Sequence, residues 1–382
     1  MLPVRTAQRL CPSIRAWSSV SADVRGFTLL FVFFLFKSLF HVQYQAFFYI
    51  MLTSTQPPSQ TLGSPPRISL KGALSTRFDR RASHGVAPVK LPVRQRVPLQ
   101  SWDSHMHVVE PERFPISKTA VYQPSIHTLE DALKFESTLG VENLVFVQPS
   151  IYGTDNSCML AALAKLGPTR GRGVVVVDPN TITQEELDEW HALGVRGLRV
   201  NLQSVGKVME RNELEATLIR HADIARPRNW MIEVYVPLKM IPMLESIVPR
   251  LGITVCIDHF GSPELSSISL CENDSPFDPY TLPGFSSLIS LIRTGSTYIK
   301  VSAPYRLTKD AGMRDLKAMA REFLSAAPDR VIYATDWPHT RFTGVDISPF
   351  TEWCLDLCAH EPGLAEKLFR RNTERMLGVE ST

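Results

Sequence analysis

"WDSHMHVV" (residues 102–109) opens a series of short apolar and β-branched runs, at the point where the chain changes character. Runs of this length and composition are typical of strands with a buried face. Seven more follow: "NLVFVQPS" (143–150), "GVVVVDP" (173–179), "VRGLRVNL" (195–202), "MIEVYV" (231–236), "TVCIDHF" (254–260), "YIKVSA" (298–303) and "VIYATDW" (331–337). The sequence therefore predicts eight strands.

The stretches between these runs have the apolar spacing of amphipathic helices. We predict helices over residues 128–139, 183–192, 213–225, 238–248, 285–293, 311–326 and 349–358. Eight strands that alternate with helices over about 280 residues have the count and length of a (β/α)₈ TIM barrel, an α/β fold. An open doubly wound sheet is the alternative, but no GxGxxG motif follows a predicted strand.

Chemically capable side chains are concentrated at the carboxyl ends of the predicted strands, where a TIM barrel has its active site. Residues two apart on a strand share a face, so His105 and His107 can point together into the barrel mouth, as can Glu233 and Tyr235. Four more candidates lie on or after strands four, six, seven and eight: Arg199, His259, Arg306 and Asp336. This convergence predicts one active site.

Seven motifs, taken in order, resemble those of the amidohydrolase superfamily, and more narrowly its branch typified by 2-pyrone-4,6-dicarboxylate lactonase and related sugar lactonases. They are "SHMH" (104–107), "FVQPSIYGTDN" (146–156), "GLRVN" (197–201), "IDHFG" (257–261), "KVSAPYRL" (300–307), "ATDWPH" (334–339) and "NTERMLG" (372–378). The resemblance covers Trp102 to about Val379 and none of the preceding residues. An HxH pair alone is a weak signal, whereas its combination with the strand-six histidine and "TDWPH" is specific. The resemblance implies an amidohydrolase-type barrel and a hydrolase.

The motifs do not decide whether the predicted site holds a metal ion. Superfamily members with two metal ions usually add a lysine on strand four and a histidine on strand five, where this chain has Arg199 and either Glu233 or Tyr235. A guanidinium stays protonated and cannot ligate a cation, so the sequence argues against a binuclear centre. Catalysis without metal, as in the pyrone lactonase branch, and a single divalent ion such as Zn²⁺ are both compatible with the motifs. The ligands of such an ion would be His105, His107, His259 and Asp336, with Glu233 as a further candidate.

The resemblance implies hydrolysis of a lactone, in which a water must be activated while negative charge develops on the ester carbonyl. Asp336 would take the proton from water and return it to the leaving oxygen. The three histidines His105, His107 and His259 would polarise the carbonyl, either directly or through a metal. In the family, matching residues bind substrate carboxylates; here they are Arg199, Arg306, Tyr235, Ser150 and Tyr122.

The sequence departs from the pyrone lactonases after strand four, where they resemble one another in carrying a second basic residue. Here Gln203, Ser204 and Val205 precede Lys207. The substrate is therefore predicted to be a carboxylated small molecule without a requirement for two carboxylates. A monocarboxylate, an aryl or alkyl lactone, or a product of secondary metabolism would fit as well. The longest predicted loop, residues 262–283, is a candidate lid or pocket wall.

Two other functions remain as alternatives. A metal-dependent decarboxylase or amide hydrolase on the same barrel would often retain the HxH, the strand-six histidine and the strand-eight aspartate. Its distinguishing signs would be a firmly bound Zn²⁺ and loss of activity on chelation. A catalytically silent barrel could act as a binding or scaffold protein, although an unused cluster of three imidazoles and a carboxylate would only cost stability.

The first hundred residues differ in composition from the rest. They hold 13 Lys and Arg against two acidic residues, whereas residues 101–382 hold 28 basic and 36 acidic residues. The barrel, predicted over 101–380, thus gives no indication of nucleic-acid binding. Residues 51–100 are rich in Pro, Ser and Arg and are predicted to be a disordered linker.

Residues 1–50 allow three interpretations. Arginines among Ser and Ala in residues 1–26 are typical of a mitochondrial transit peptide. The apolar stretch 27–52 is about long enough for a membrane anchor, although Lys37, His41, Gln43 and Gln45 interrupt it. Translation from Met51 would make the leader dispensable and the protein cytoplasmic. Any membrane contact would come through this stretch alone.

Overall fold

The computed structural model describes residues 90–265 and 276–379. The predicted leader, residues 51–89 of the predicted linker and residues 266–275 of the predicted lid lie outside the described residues. Within the described ranges, no helix combines the length and apolar character that crossing a bilayer requires.

Eight parallel strands form one sheet in which each strand pairs with the next along the chain. They are β1 (Trp102–Met106), β2 (Asn143–Val147), β3 (Gly171–Val175), β4 (Val195–Asn201), β5 (Met231–Tyr235), β6 (Val255–Ile257), β7 (Thr297–Val301) and β8 (Val331–Tyr333). A parallel bridge between Met106 and Trp337 brings the end of β8 back to β1. The predicted (β/α)₈ barrel is confirmed.

An α-helix follows each strand. The α-helices are α1 (Val93–Arg96), α2 (Leu129–Leu139), α3 (Ser157–Leu166), α4 (Gln184–Leu193), α5 (Arg211–Ala225), α6 (Ile241–Leu251), α7 (Phe285–Arg293), α8 (Pro304–Leu307), α9 (Arg314–Ala326), α10 (Ser348–Cys358), α11 (Leu364–Glu366) and α12 (Asn372–Leu377). Turns of 3₁₀ helix cover Ser150–Tyr152, Arg226–Arg228, Leu238–Met240, His259–Gly261, Pro279–Thr281 and Pro328–Arg330, and a π turn covers Lys367–Arg371. The predicted helices begin and end within three residues of the observed ones, and five helices are additional to them: α1, α3, α8, α11 and α12.

Local sequence explains where two of the outer helices begin. Thr128 and Thr183 each accept a hydrogen bond from the backbone of the third helical residue, and the acidic side chain of that residue bonds back to the threonine. These reciprocal capping boxes satisfy backbone N–H groups that a helix start otherwise leaves free. They place α2 and α4 directly after the loops that follow β1 and β3.

The barrel interior changes from apolar to charged along the strands. At the amino ends, side chains such as Val145, Met231, Cys256, Tyr298 and Ile332 pack together with Met376 and Leu377 of α12. Three charged residues follow two positions after three of these apolar residues. Glu233 follows Met231, Asp258 follows Cys256 at the end of β6, and Lys300 follows Tyr298, and all three charged residues are fully buried. Alternate residues of a strand point the same way, so a charged layer lies on top of the apolar one.

Residues 90–100, which the sequence assigned to the linker, pack against the barrel helices. Val97 is buried, and Lys90 pairs with Glu352 and Asp356 of α10 at 2.8 and 2.7 Å. Arg96 pairs with the same two carboxylates. The ordered fold therefore includes α1, ahead of the predicted boundary at residue 101.

Candidate active site

The predicted site residues converge at the carboxyl ends of the strands. A small cavity of about 50 Å³, open to solvent, is lined by His107, Tyr122, Pro149, Ser150, Arg199, Ser204, His259, Arg306, Asp336, Thr340 and Arg341. Two predicted residues lie immediately behind this lining: the ring of His105 is 4.6 Å from that of His259, and the ring of Tyr235 is 4.8 Å from it. The structure thus brings together all nine residues predicted for catalysis and substrate binding.

The backbone at the β1–β8 seam positions Asp336. Its N–H donates to the carbonyl of His105 at 3.0 Å, and its φ of 63° turns the chain out of the strand direction. The buried Asp103 carboxylate accepts from the N–H of His105 and of Thr335, each at 3.0 Å, and from the Thr335 hydroxyl. One carboxylate therefore fixes both the first histidine and the segment that carries Asp336.

The two carboxylate oxygens of Asp336 have different neighbours. Oδ2 accepts from the Tyr305 hydroxyl at 2.6 Å and lies 2.8 Å from the Arg306 guanidinium. Oδ1 faces the Nε2 atoms of three histidines, at 3.6 Å from His105, 3.6 Å from His107 and 3.9 Å from His259. Burial opposes ionisation, but the charge of Arg306, with help from the histidines, lowers the pKa of Asp336 well below its usual value. Asp336 is accordingly an anion with one oxygen available.

The Nδ1 atoms of two of these histidines are engaged. His107 Nδ1 lies 2.7 Å from the Val147 carbonyl, which can only accept, so this nitrogen carries the proton and Nε2 has a lone pair in the neutral ring. His259 Nδ1 lies 2.7 Å from the Ser302 hydroxyl, which can donate or accept. Burial lowers the pKa of His259 to about 4, so this imidazole is neutral at physiological pH.

Below the cavity, five buried ionisable groups form a network. The Lys300 ammonium contacts Glu233 Oε2, and it lies 3.2 Å from Asp258 Oδ1 and 3.0 Å from His105 Nδ1. Arg199 reaches the same carboxylates, at 3.5 Å from Glu233 Oε1 and 3.4 Å from Asp258 Oδ2. Burial would lower the pKa of Lys300, but Asp258 and Glu233 raise it. Burial and the Asp258 charge raise the pKa of Glu233, whereas the charges of Lys300 and Arg199 oppose this rise.

The two arginines differ in their surroundings. Arg199 is almost fully buried, donates to the Gln148 carbonyl at 2.8 Å and lies over the Tyr235 ring. It therefore has a structural role as an ion-pair partner and also lines the cavity. Arg306 is more exposed and lies over the rings of Tyr305 and Phe342. Its charge faces both Asp336 and the open cavity.

Arg341 spans the rim of the cavity. Its guanidinium lies 4.5 Å from the ring centre of Tyr122 and donates to the Ser204 carbonyl at 3.3 Å. Ser204 belongs to the segment in which the sequence lacks a second basic residue. Arg341, in the loop after β8, thus brings a cation close to that segment.

The donor atoms fit one divalent ion in part. Two groups of the described residues bring one ligand atom each within 4.8 Å of one another: His105, His107 and Asp336, and His105, Asp258 and His259. His107 Nε2 and Asp336 Oδ1 have lone pairs that face each other, and His259 Nε2 lies near them. Glu233 is not beside this group, because it neighbours the opposite nitrogen of His105 and is bonded to Lys300. Lys300 and Arg199 lie 3.2 and 3.4 Å from Asp258, so their positive charges disfavour a second cation at the group that contains Asp258.

The sequence analysis did not identify four residues of the site: Lys300, Asp258, Tyr305 and Arg341. Lys300 interrupts an apolar run and shares a strand face with Tyr298 and Ser302, a pattern that could have indicated a buried cation. Asp258 and Tyr305 each directly precede a predicted site residue, His259 and Arg306. Their partners lie on other strands, so sequence spacing alone does not reveal these contacts.

Comparisons with known proteins cover the whole barrel. A protein-family model described as Amidohydrolase matches residues 102–379. A 4-sulfomuconolactone hydrolase from Hydrogenophaga intermedia is 29% identical over 296 residues, covering 75% of this chain and 91% of the relative. A 2-pyrone-4,6-dicarboxylate hydrolase from Comamonas testosteroni is 28% identical over 300 residues, covering 75% and 92%. A solved structure from Pseudomonas putida, a candidate 2-pyrone-4,6-dicarboxylic acid hydrolase, is 29% identical with a TM-score of 0.60, covering 75% of this chain and 100% of that chain.

Proposed function

The chain belongs to the amidohydrolase family and is a hydrolase, and we propose that it opens the ring of a lactone that carries a carboxylate or another anionic group. The observation that carries this proposal is the single available oxygen of Asp336, which faces three imidazoles in a cavity that Arg199 and Arg306 also line. Two relatives are hydrolases of a sulfomuconolactone and of a pyrone dicarboxylate, which are anionic cyclic esters by name.

Water activation is assigned to Asp336 and His107. A water that donates to Asp336 Oδ1 and to the lone pair of His107 Nε2 would have its oxygen directed at a lactone carbonyl. Asp336 takes one proton from this water as the oxygen bonds to the carbonyl carbon. Because Oδ2 already accepts from Tyr305 and faces Arg306, Oδ1 is the oxygen that receives the proton.

Opening of the lactone ring returns the proton held by Asp336 to the substrate. The remaining imidazoles, His105 and His259, point their Nε2 atoms at the same region and would face the carbonyl oxygen as its negative charge develops. When the tetrahedral intermediate collapses, the ring C–O bond breaks and Asp336 returns its proton to the departing oxygen. The products are a hydroxyl and a carboxylic acid on one molecule; the acid then loses the second proton of the water to solvent, and Asp336 is again ionised.

Substrate binding is assigned to the arginines and the neighbouring hydroxyls. A guanidinium pairs with a carboxylate through two parallel hydrogen bonds, which orients the substrate as well as attracting it. Arg306 would do this at the open side of the cavity. Arg199, whose guanidinium already faces Gln148, Glu233 and Asp258, would add positive charge at the buried side. Ser150, Tyr122 and Tyr235 lie at or just behind the same lining. Neutral lactones of the same size would bind more weakly.

A single divalent ion is the alternative form of the same site. His105, His107 and Asp336 would hold it, with His259 nearby, and the ion would supply Lewis acidity at the carbonyl. The chain has positive charge of its own at this place, in Lys300, Arg199 and Arg306, which favours catalysis without metal. Zinc content and chelation separate the two forms.

The first experiment uses the full-length chain. Three lactones would be assayed, namely 2-pyrone-4,6-dicarboxylate, muconolactone and the uncharged dihydrocoumarin, before and after chelation, with bound metal measured by elemental mass spectrometry. We expect hydrolysis of an anionic lactone that survives chelation. In Asp336→Asn, kcat should fall by about 10²- to 10⁴-fold, the usual contribution of a general acid and base.

The matched control is Asp188→Asn, at an exposed aspartate that pairs with Arg228 on the outer surface. Its turnover should equal that of the wild type. Turnover that disappears on chelation and returns with zinc would establish the single-ion form. Hydrolysis of amides or decarboxylation, without turnover of any lactone, would overturn the proposal.

A further inference from the structure

One charged residue beneath the cavity has no role in the mechanism above. Lys300 on β7 is fully buried, contacts Glu233 and lies 3.2 Å from Asp258 Oδ1. The same ammonium lies 3.0 Å from His105 Nδ1. An ammonium has three donors and no acceptor, so a hydrogen bond at this distance requires His105 Nδ1 to accept. In a neutral ring the proton of His105 is then on Nε2.

The surroundings of His105 Nε2 also favour a proton on this nitrogen. His105 Nε2 is fully buried, has no hydrogen-bond partner among the described residues and lies 3.6 Å from Asp336 Oδ1. A lone pair on Nε2 would face the negative carboxylate, whereas an N–H would face it favourably. The competing arrangement places the proton on Nδ1, directed at Asp258 Oδ1 at 3.3 Å. That N–H would then be only 3.0 Å from the ammonium, donor against donor.

We infer that Lys300 is a positioning residue that holds His105 with its proton on Nε2. His105 thereby presents an N–H to the catalytic cavity, where it can donate to the oxygen of a substrate carbonyl. A protonated Nε2 cannot ligate a metal ion, so Lys300 also keeps His105 out of any metal ligand set. The catalytic half of this inference rests on the proposed function, whereas the position of the proton does not.

Glu233 and Asp258 make the arrangement stable. Two carboxylates and two cations, Lys300 and Arg199, balance within the buried network. An unpaired buried charge is strongly destabilising, so Lys300 cannot be removed alone without penalty. A paired substitution, Lys300→Met with Glu233→Gln, keeps the net charge of the network unchanged. Glu233→Gln alone keeps Lys300 and is the matched control.

The experiment measures the proton position in the full-length protein by ¹⁵N-edited NMR of the histidine side chains, with the His105 signals assigned from His105→Gln. We expect the wild type and Glu233→Gln to carry the His105 proton on Nε2. In the paired variant the ring loses the lysine donor and should shift its proton to Nδ1, facing Asp258. A purely structural role of Lys300 would leave the proton where it is.

Metal content is the second measurement. After incubation with zinc sulfate and gel filtration, the paired variant should retain more zinc per chain than Glu233→Gln, because His105 Nε2 becomes available as a ligand. Its kcat on the lactone should fall by about 10²- to 10³-fold with little change in KM, the usual cost of one lost oxyanion donor.

Failure of the inference about Lys300 can be distinguished from failure of the proposed function. A wild-type His105 that is protonated on Nδ1 overturns the inference, and this result needs no variant to fold. Equal zinc retention in the paired variant and its control, with an unmoved proton, overturns it as well. If the proton is on Nε2 but no lactone is hydrolysed, the proposed function fails while the role of Lys300 stands.

Discussion

The carboxylate of Asp336 has two oxygens in different surroundings. Tyr305 and Arg306 occupy Oδ2, so its lone pairs are already engaged. Oδ1 faces imidazole nitrogens at 3.6 Å or more, distances that leave it without a short hydrogen bond to them. The same side chain is therefore both fixed in place and open to a reactant.

The variant Tyr305→Phe tests whether the hydrogen bond from Tyr305 to Asp336 Oδ2 sets the pH range of activity. The pKa of Asp336 is lowered in the fold, so activity should be present above that pKa and lost as pH falls through it. Loss of the phenolic donor removes stabilisation of the anion and raises the pKa. The acid limb of the kcat/KM profile should therefore move to higher pH by about one to two units, which is what a hydrogen bond to a charged group is worth.

The control for this variant is Tyr280→Phe, whose hydroxyl bonds to Glu322; neither residue lines the cavity. Its pH profile should match that of the wild type. An acid limb that stays in place in Tyr305→Phe would mean that this hydrogen bond does not tune Asp336.

At the scale of elements, α2 ends at a glycine that serves two purposes. Gly140 has a φ of 81°, a left-handed conformation that ends the helix, and a Cβ at this position would lie 2.6 Å from the Arg94 carbonyl oxygen of α1. Only a residue without a side chain allows the backbone of α1 to approach so closely. The docking of the N-terminal segment thus depends on one position in α2.

Gly140→Ala should destabilise the protein more than a glycine change with backbone strain alone. Gly363 has the same φ of 81° with open space around it, so Gly363→Ala is the matched control. Left-handed strain costs about 1–2 kcal/mol in both variants. Gly140→Ala should lose about 1–3 kcal/mol more from the steric clash, measured by urea unfolding. Equal losses would show that α1 moves away without cost.

Several elements could be predicted from the sequence, and the differences have physical causes. Hydrophobic periodicity fixes strand and helix type locally, which explains why α7 was predicted at its observed bounds. The predicted strands 254–260 and 331–337 run past β6 and β8, because His259 and Asp336 adopt positive φ and leave the sheet. Those departures turn the site residues toward the cavity. The pairing of Lys300 with Glu233 depends on barrel closure and is invisible to local patterns.

On the scale of the whole molecule, residues 90–100 belong to the barrel. Val97 is buried, Asn143 donates to the Gln100 carbonyl at 2.8 Å, and the Ser101 hydroxyl bonds to the Pro98 carbonyl. Composition placed this segment in the linker because it is short, basic and rich in proline. Its contacts come from helices far along the chain, which composition cannot reveal.

Two truncated chains test whether the barrel domain begins at residue 90 or at residue 101. A chain that begins at residue 90 should unfold at a higher temperature than one that begins at residue 101. Loss of a buried valine costs about 1.5–3 kcal/mol, which corresponds to roughly 2–5 °C in Tm for a chain of this size. Equal melting temperatures by calorimetry would show that α1 contributes nothing to the stability of the barrel.

The Asp103 carboxylate joins the first strand to the chain that leaves the last one, across 232 residues of sequence. The hydrogen bonds that close the barrel are also those that place His105 and Thr335, next to Asp336. A folding intermediate with an open seam would hold the catalytic groups on two separate edges and would have no turnover. Recovery of enzymatic activity during refolding therefore requires that the ends of the sheet have already met.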